Sequence, residues 1–492
     1  MRVSLIVCPG WTMRSPPLGA PLIKSYLRER GHECTLVDLS AVLLGKIDGE
    51  EQEMLIHSNY DFLLSGSQVR TFLAKYDAVV RAELDRILAF NPDVVGFTAY
   101  SSSRVFCEEV ASLIKARRPS IQIVLGGPEC KQMLENKVPV HEAVDAIIPG
   151  EGEVAMAGLL ANMSEGRFRP TLGASIRHEG EMKWIGPAEE VEDLDALPFP
   201  DFSDLPLANY CRPQTLVTYF SRGCPKKCTF CDVEFNWGGH SNRSGERVFA
   251  EIEHLLALYP ETEGFFFCDS ITNANMDALV GFCDRIIAAK REGRMRANVT
   301  WSGYQTIRPQ MTREVLQKMY DAGWRELWIG IESGSQKVLN LMKKGHKVEI
   351  ADRVLKDCGQ IGLKVLALMM VGFPGETNAD FEETLDFVRR NGPYIARVSC
   401  SENFTYITNH TFLHEHAFGQ YGIDPATFHT DYWEAKDGSN SYLDRCARFE
   451  RLYQLALKEK IPFGSQMDIV RAHMKWYVDY VACRGVGGSA PV

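Results

Sequence analysis

The sequence predicts an α/β protein with two successive sheet systems. A doubly wound sheet comes first, a partial barrel of six strand–helix repeats follows, and a mostly helical C-terminal region ends the chain. Three observations carry that prediction. The chain opens strand, loop, helix, strand, the pattern of a parallel pair. From residue 215 short apolar runs alternate regularly with amphipathic helical runs. Between the first two of those runs stands a C-x3-C-x2-C array, Cys224, Cys228 and Cys231.

The elements follow in order. Residues 2–8 (RVSLIVC) read as a strand stopped by Pro9-Gly10, residues 20–30 as a helix closed by Gly31, and 34–38 as the second strand. Residues 41–90 are helical in character. Strand 93–98, helix 104–117 and strand 121–125 resume the alternation, and 143–148 ends at Gly150-Glu151-Gly152-Glu153. In such a sheet, ligands bind outside the carboxyl ends of the strands. Small residues gather there: Pro17, Leu18 and Gly19; Ser101, Ser102 and Ser103 after Tyr100; Gly126 and Gly127 before Pro128; and Gly150 before Glu151. A first domain is expected over 1–185 and a proline-marked linker over 186–210. The barrel is expected over 211–400, with strands at 215–221, 263–268, 297–303, 326–331, 364–371 and 395–400. Helices fill the gaps at 246–258, 275–291, 312–322, 347–361 and 378–390. Residues 401–492 are expected to be a helical, substrate-side region with a disordered Gly-rich tail at 485–489.

With 492 residues, 45% apolar and 24% charged, the chain has the composition of a folded soluble protein. A formal charge of −10 argues against nonspecific nucleic-acid binding. The apolar run at the N-terminus is too short for a signal peptide, and none elsewhere is long enough to span a bilayer. The 14 cysteines make no secreted disulfide framework, so a reducing cytoplasm is the expected compartment.

The array itself points to a metal centre. Zinc takes four closed ligands, and no further Cys or His occurs before His240. Three thiolates on one loop suit a [4Fe–4S] cluster with one iron left open. The alternative is three structural thiols, which would not need this register. The array, with Phe230 before its last cysteine, resembles the signature of radical S-adenosylmethionine (SAM) enzymes. The wording PPLG, VVGFTAYSSS, VLGGP and DAIIPGEGE, and the LPFP joint at 197–200, resemble the cobalamin-binding domain that precedes many such barrels.

That resemblance implies the cofactors and their residues. Cys224, Cys228 and Cys231 would hold the cluster, whose open iron takes the amino and carboxylate groups of SAM. Phe230, Asp269, Ser270, Ser302, Tyr304, Glu332 and Ser333 (in GIESG), with Gly372 and Gly375 (in GFPGET), would contact SAM. Glu376 and Thr377 are equally read as caps of the next helix. The strand-end residues of the first domain would contact cobalamin. The loop 10–19 has no histidine, and His32 lies at the wrong edge, so cobalamin would have no histidine lower ligand. The implied reaction is reductive cleavage of SAM to a 5′-deoxyadenosyl radical, followed by methyl transfer from methylcobalamin to an unactivated carbon. A flavodoxin- or ferredoxin-type donor would supply the electron, and the organic substrate is unspecified.

Other readings stand beside it. A relative of this kind can close or rearrange a ring without methyl transfer, and a cofactor-sensing protein could keep a vestigial barrel. A methylthiotransferase would need a second cluster, for which Cys8, Cys34 and Cys107 are the available thiols. Glu402, Tyr406, Tyr432 and Trp433 are the candidates for a substrate pocket, whereas His410, His414, His416 and His429 read as capping or solvated residues.

Overall fold

The computed structural model describes residues 1–47, 49–57, 63–401, 404–465, 470, 474–475 and 477–478. The expected tail at 485–489 and the candidate Glu402 lie outside the described residues. Contacts divide the chain into two compact units, Met1–Thr218 with His254–Gly264 and Tyr219–Glu253 with Phe265–Val492.

In the first unit, β1 (Arg2–Val7), α1 (Gly19–Glu29) and β2 (Glu33–Asp38) form the opening βαβ. Among the described residues of 39–89 stand the helices α2 (Leu39–Leu44), α3 (Glu50–His57), α4 (Gly66–Lys75) and α5 (Asp77–Ala89). Then come β3 (Val94–Thr98), α6 (Arg104–Arg117), β4 (Gln122–Gly126), α7 (Pro128–Glu135), the two-residue β5 (Ala146–Ile147) and α8 (Gly152–Ser164). The hairpin β6 (Ser175–His178) and β7 (Glu181–Lys183) completes a sheet of order β2-β1-β3-β4-β5-β6-β7, parallel through β5. The order reverses between β1 and β3, which opens a crevice at the carboxyl ends of those strands.

The proline-rich joint is held firmly within this unit. Lys24 of α1 is fully buried, and its ammonium meets Asp201 at 3.0 Å, Asp204 at 2.9 Å and Ser203 Oγ at 3.0 Å. Asp204 also accepts the Leu36 N–H, and the Tyr210 hydroxyl donates to buried Asp38 at 2.6 Å. A buried ammonium needs such partners because desolvation alone would expel it.

The second sheet takes its six strands in chain order. Its elements begin with β8 (Thr215–Thr218), then β9 (Ser221–Gly223), α9 (Val233–Trp237), β10 (His240–Asn242), α10 (Gly245–Leu258) and β11 (Gly264–Phe267). They continue with α11 (Met276–Arg291), β12 (Thr300–Thr306), α12 (Arg313–Ala322), β13 (Trp324–Glu332), α13 (Gln336–Leu341) and α14 (Val348–Ile361). The last repeat is β14 (Lys364–Met369), α15 (Asn378–Asn391) and β15 (Ile395–Cys400). Strand β12 runs three residues later than the pattern suggests. The reason is Asn273, whose side chain bonds both the N–H of Thr306 (3.0 Å) and its carbonyl (2.9 Å) as a neighbouring strand would. Beyond β15, helix among the described residues is confined mainly to α16 (Phe412–Glu415) and α17 (Tyr442–Lys458). That is less than the composition suggests, because turns between them pack their aromatic side chains instead.

Replacing Lys24 with Met leaves two carboxylates facing an apolar stem. Denaturant unfolding should show a loss of about 3 kcal/mol, the low end for a broken buried pair because both aspartates keep some solvent contact.

Candidate functional site

The cysteine loop begins where β9 pairs antiparallel with β10, so residues 224–239 form an excursion closed at its neck. Gly223 sits there at φ +70°, and a Cβ would collide with the Gly239 carbonyl. The base of the excursion is tied to Asp269, just past β11. One carboxylate oxygen accepts the N–H of Phe220 (2.8 Å), the N–H of Ser221 and the Ser221 hydroxyl (2.9 Å). Burial nonetheless pushes this carboxyl up to about 6 against the pull of those bonds, and its second oxygen has no hydrogen-bond partner. Arg243 closes the other side: its N–H donates to the Phe220 carbonyl, its guanidinium to the Tyr219 carbonyl (3.1 Å) and to buried Glu251 (2.7 Å).

Within the loop, Cys224, Cys228 and Cys231 are all half-buried. The Lys226 N–H approaches Cys224 Sγ at 3.4 Å, and the Cys231 N–H donates to the Cys228 carbonyl at 3.1 Å. Buried Thr229 donates its N–H to the Met342 carbonyl (2.9 Å) and accepts from the Leu413 N–H (2.7 Å), so α13 and the C-terminal segment both grip the loop. Burial raises Cys231 to about 11 and raises Cys228, against which the Lys344 cation pulls Cys228 down.

Lys344 is the residue that sequence reading missed. Its ammonium pairs with Glu332 Oε1 at 2.6 Å and lies 5.8 Å from the Phe230 ring centroid. Burial lowers its pKa, but Glu332 and the thiols of Cys228 and Cys231 outweigh that and leave it raised. Glu332 ends β13 at φ +67°, where the register to β14 shifts. A non-glycine residue held there is strained, which is a mark of a constrained site. Two residues after Lys344, His346 is 5% exposed and neither ring nitrogen has a hydrogen-bond partner. Burial and the cations of Lys344 and Lys226 push it down to about 4.

The other residues expected at SAM are placed differently. Ser270 is exposed, and Ser302 is nearly buried on β12. Tyr304 packs edge-on against Phe266 and Trp328. The Ser333 hydroxyl is 2.9 Å from Thr384 Oγ1 and accepts the Ser335 N–H, so it serves the turn into α13. Gly372 (φ +72°) makes room for the Arg445 side chain, and Gly375 (φ +88°) lies against Leu341. Thr377 caps α15 in a capping box with Asp380, whereas Glu376 is buried on the Gly372 N–H (2.7 Å) and Arg448 (3.2 Å).

Of the substrate candidates, Tyr406 is exposed, and Tyr432 stacks on His429 beside Tyr442 and Tyr477. Trp433 is not a pocket wall: it is fully buried, donates to the Thr405 carbonyl (2.9 Å), and carries the Arg445 guanidinium 3.9 Å over its ring. The histidines are packing groups. His410 stacks on Phe235, His416 on Phe412, and His414 lies by Phe428.

In the first unit, the residues after β1, β3, β4 and β5 share the carboxyl edge of the sheet. Trp11 stacks on Tyr100 at 4.6 Å across the β1/β3 reversal, and Ser102 Oγ donates to the Gly10 carbonyl at 2.7 Å. Ser103 Oγ accepts the Tyr100 N–H at 2.9 Å and so tightens the same turn. Gly127 sits at φ +99°, where a Cβ would strike the Ala99 carbonyl, and Pro128 starts α7 beside it. A Cβ on Gly19 or Gly150 would meet nothing within 4 Å. Glu151 accepts the Val191 N–H at 2.9 Å. Cys8, Cys34 and Cys107 are buried, and burial raises Cys8 strongly beside Cys107. Among the described residues, no three His, Cys, Asp or Glu side chains converge on a single metal ion.

These features fit the implied groups. Three half-buried thiols on one short loop, with lysine ammonium groups beside them, suit an anionic polynuclear cluster. The glycine-lined edge with its aromatic pair suits a large planar cofactor that takes no histidine from the β1 loop. Residues 218–388 match the Radical SAM superfamily and residues 59–160 the B12 binding domain. The chain belongs to the cobalamin-dependent radical SAM family. An uncharacterized methyltransferase of Pyrococcus horikoshii is 29% identical over 311 residues, 62% of this chain and 65% of that one. An anaerobic magnesium-protoporphyrin IX monomethyl ester cyclase of Rubrivivax gelatinosus is 26% identical over 322 residues, 63% of this chain and 57% of that one. The matches therefore span less than two thirds of either relative. In fold, the chain is similar to the radical SAM methyltransferase TsrM of Kitasatospora setae, solved with cobalamin and a [4Fe–4S] cluster. That likeness has a TM-score of 0.61 and 15% identity over 92% of this chain and 88% of that one. Among the described residues no helix is long and apolar enough to cross a membrane.

Two outcomes follow. Asp269→Ala strands buried N–H groups at the loop base and should cost about 3 kcal/mol in denaturant unfolding and lose bound iron, whereas Asp269→Asn keeps an acceptor and most of the iron. His346 binds its proton near pH 6.5 when unfolded but only near 4 when folded. Stability present above pH 6.5 is therefore lost as pH falls toward 4, by about 3 kcal/mol, and His346→Phe should flatten that part of the unfolding profile.

Proposed function

We propose that this chain is a cobalamin-dependent radical SAM methyltransferase acting on an unactivated carbon of an organic substrate. The observation that supports it most directly is the tethered loop of Cys224, Cys228 and Cys231 in a chain that also carries a B12-binding domain. In this reading a four-iron cluster supplies the electron that cleaves SAM, and cobalamin supplies the methyl group. The three cysteines hold the cluster, Asp269 and Arg243 fix the loop that carries them, and Phe230 packs edge-on against Phe373 beside Lys344. Glu332 and the glycine turn at 372–375 border the SAM position. Residues 17–19, 100–103, 126–128 and 150–151 cradle cobalamin. A domain division at 185–211 and 400, a cytoplasmic setting and a flavodoxin- or ferredoxin-type electron donor belong to the same proposal.

A second reading is ring closure without methyl transfer, and the cyclase relative favours it. Residues 404–465 would choose between substrates in either case, since their turns pack over the cysteine loop.

Anaerobic reconstitution with iron, sulfide and hydroxocobalamin should give about four irons and one cobalamin per chain. About eight irons without corrin would instead indicate a two-cluster methylthiotransferase. With methyl-labelled SAM, label in a product supports the first reading. Formation of 5′-deoxyadenosine with no labelled product supports the second.

A further inference from the structure

We propose that Lys344, held in place by Glu332, is a positioning residue that raises the reduction potential of the cluster bound by Cys224, Cys228 and Cys231. The inference rests on the cluster assignment above. Reduction adds one negative charge to a cluster, so a nearby fixed cation favours the reduced form.

The geometry around Lys344 is built rather than incidental. Its side chain is 12% exposed, yet it comes from outside the loop, twelve residues beyond the end of β13. The loop's own charges cancel in number, Lys226 and Lys227 against Asp232 and Glu234, and Lys227 pairs with Glu234. Lys344 therefore adds a net positive charge from outside the loop. Two features keep it there. Gly330 leaves room, since a Cβ at that position would lie 2.7 Å from the Lys344 ammonium and 2.6 Å from Glu332 Oε1. The left-handed backbone at Glu332 turns the carboxylate toward Lys344 at the register shift of β13. The ammonium also lies 5.8 Å from the ring centroid of Phe230, the residue before Cys231, so the pair carries its cation to the cysteine loop.

The pair makes two single neutralisations act in opposite directions. Wild type, Lys344→Met, Lys344→Arg and Glu332→Gln would be reconstituted anaerobically, counted for iron, and titrated without SAM by EPR-monitored reduction. Lys344→Met should lower the midpoint by about 59 mV, a tenfold fall in the reduced-to-oxidised ratio at fixed potential. Glu332→Gln, which leaves the ammonium uncompensated, should raise it, and Lys344→Arg should stay within about twofold in that ratio. Midpoints that do not move, or that move the same way in Lys344→Met and Glu332→Gln, overturn the inference. So does loss of iron confined to the Lys344 variants, which would make the lysine an assembly residue. A wild-type chain that holds no four-iron cluster fails the cluster assignment itself, and the iron count separates that case before any titration.

Discussion

The second unit depends on one carboxylate placed beneath a loop. Asp269 receives two backbone N–H groups and a hydroxyl from Phe220 and Ser221, three to four residues before the first cysteine. A loop has no ladder of its own to fix where its side chains point. Here its neck is set by that carboxylate on one side and by Arg243 on the other, and Arg243 is itself fixed by Glu251. The cost is a buried carboxyl with one unpaired oxygen, raised to about 6. The arrangement persists because removing the carboxylate would strand three polar groups, against the one oxygen it leaves unpaired.

The fold was legible wherever two periodicities alternate. From 215 to 400 the apolar runs and amphipathic helices fall close to their sequence positions, because each helix is closed by a glycine or a cap the chain displays. Gly323 and Gly362 close α12 and α14 in left-handed conformations, and Thr377 caps α15. The three-residue strands β9 and β10 were not legible, since a ribbon that short carries no pattern. The strand-end glycines of the first unit stood out by composition, and the structure gives each a separate reason: close approach at Gly127, open space at Gly19 and Gly150.

The cysteines declare themselves by spacing, but the groups that surround them do not. Lys344 and His346 sit in MKKGHK, a stretch that reads as a solvated charge run. Their burial follows from α13, which turns the chain back so that Met342 accepts the Thr229 N–H. Trp433 stands among the pocket candidates of the aromatic C-terminal region. Its partner is Arg445, twelve residues further on, and no sequence period joins the two. Gly372 shows the same limit: its motif suggests ligand contact, while the left-handed turn there also makes room for Arg445.

The electrostatics of the chain and of its cysteine loop run in opposite senses. The whole carries a formal charge of −10, yet two lysines, Lys226 and Lys344, stand among the charged groups that act on the thiols, and burial keeps His346 neutral beside them. Thiolates gathered on one loop repel each other and lose hydration as they are covered. Cations that arrive from α13 and from the loop itself offset both effects without adding ligands. A third ammonium at position 346 would raise the local repulsion again, which is why an imidazole held neutral fits that position where a lysine would not. The strained backbone at Glu332 belongs to the same balance. It brings one negative group to anchor Lys344 through a 2.6 Å ion pair at the register shift of β13.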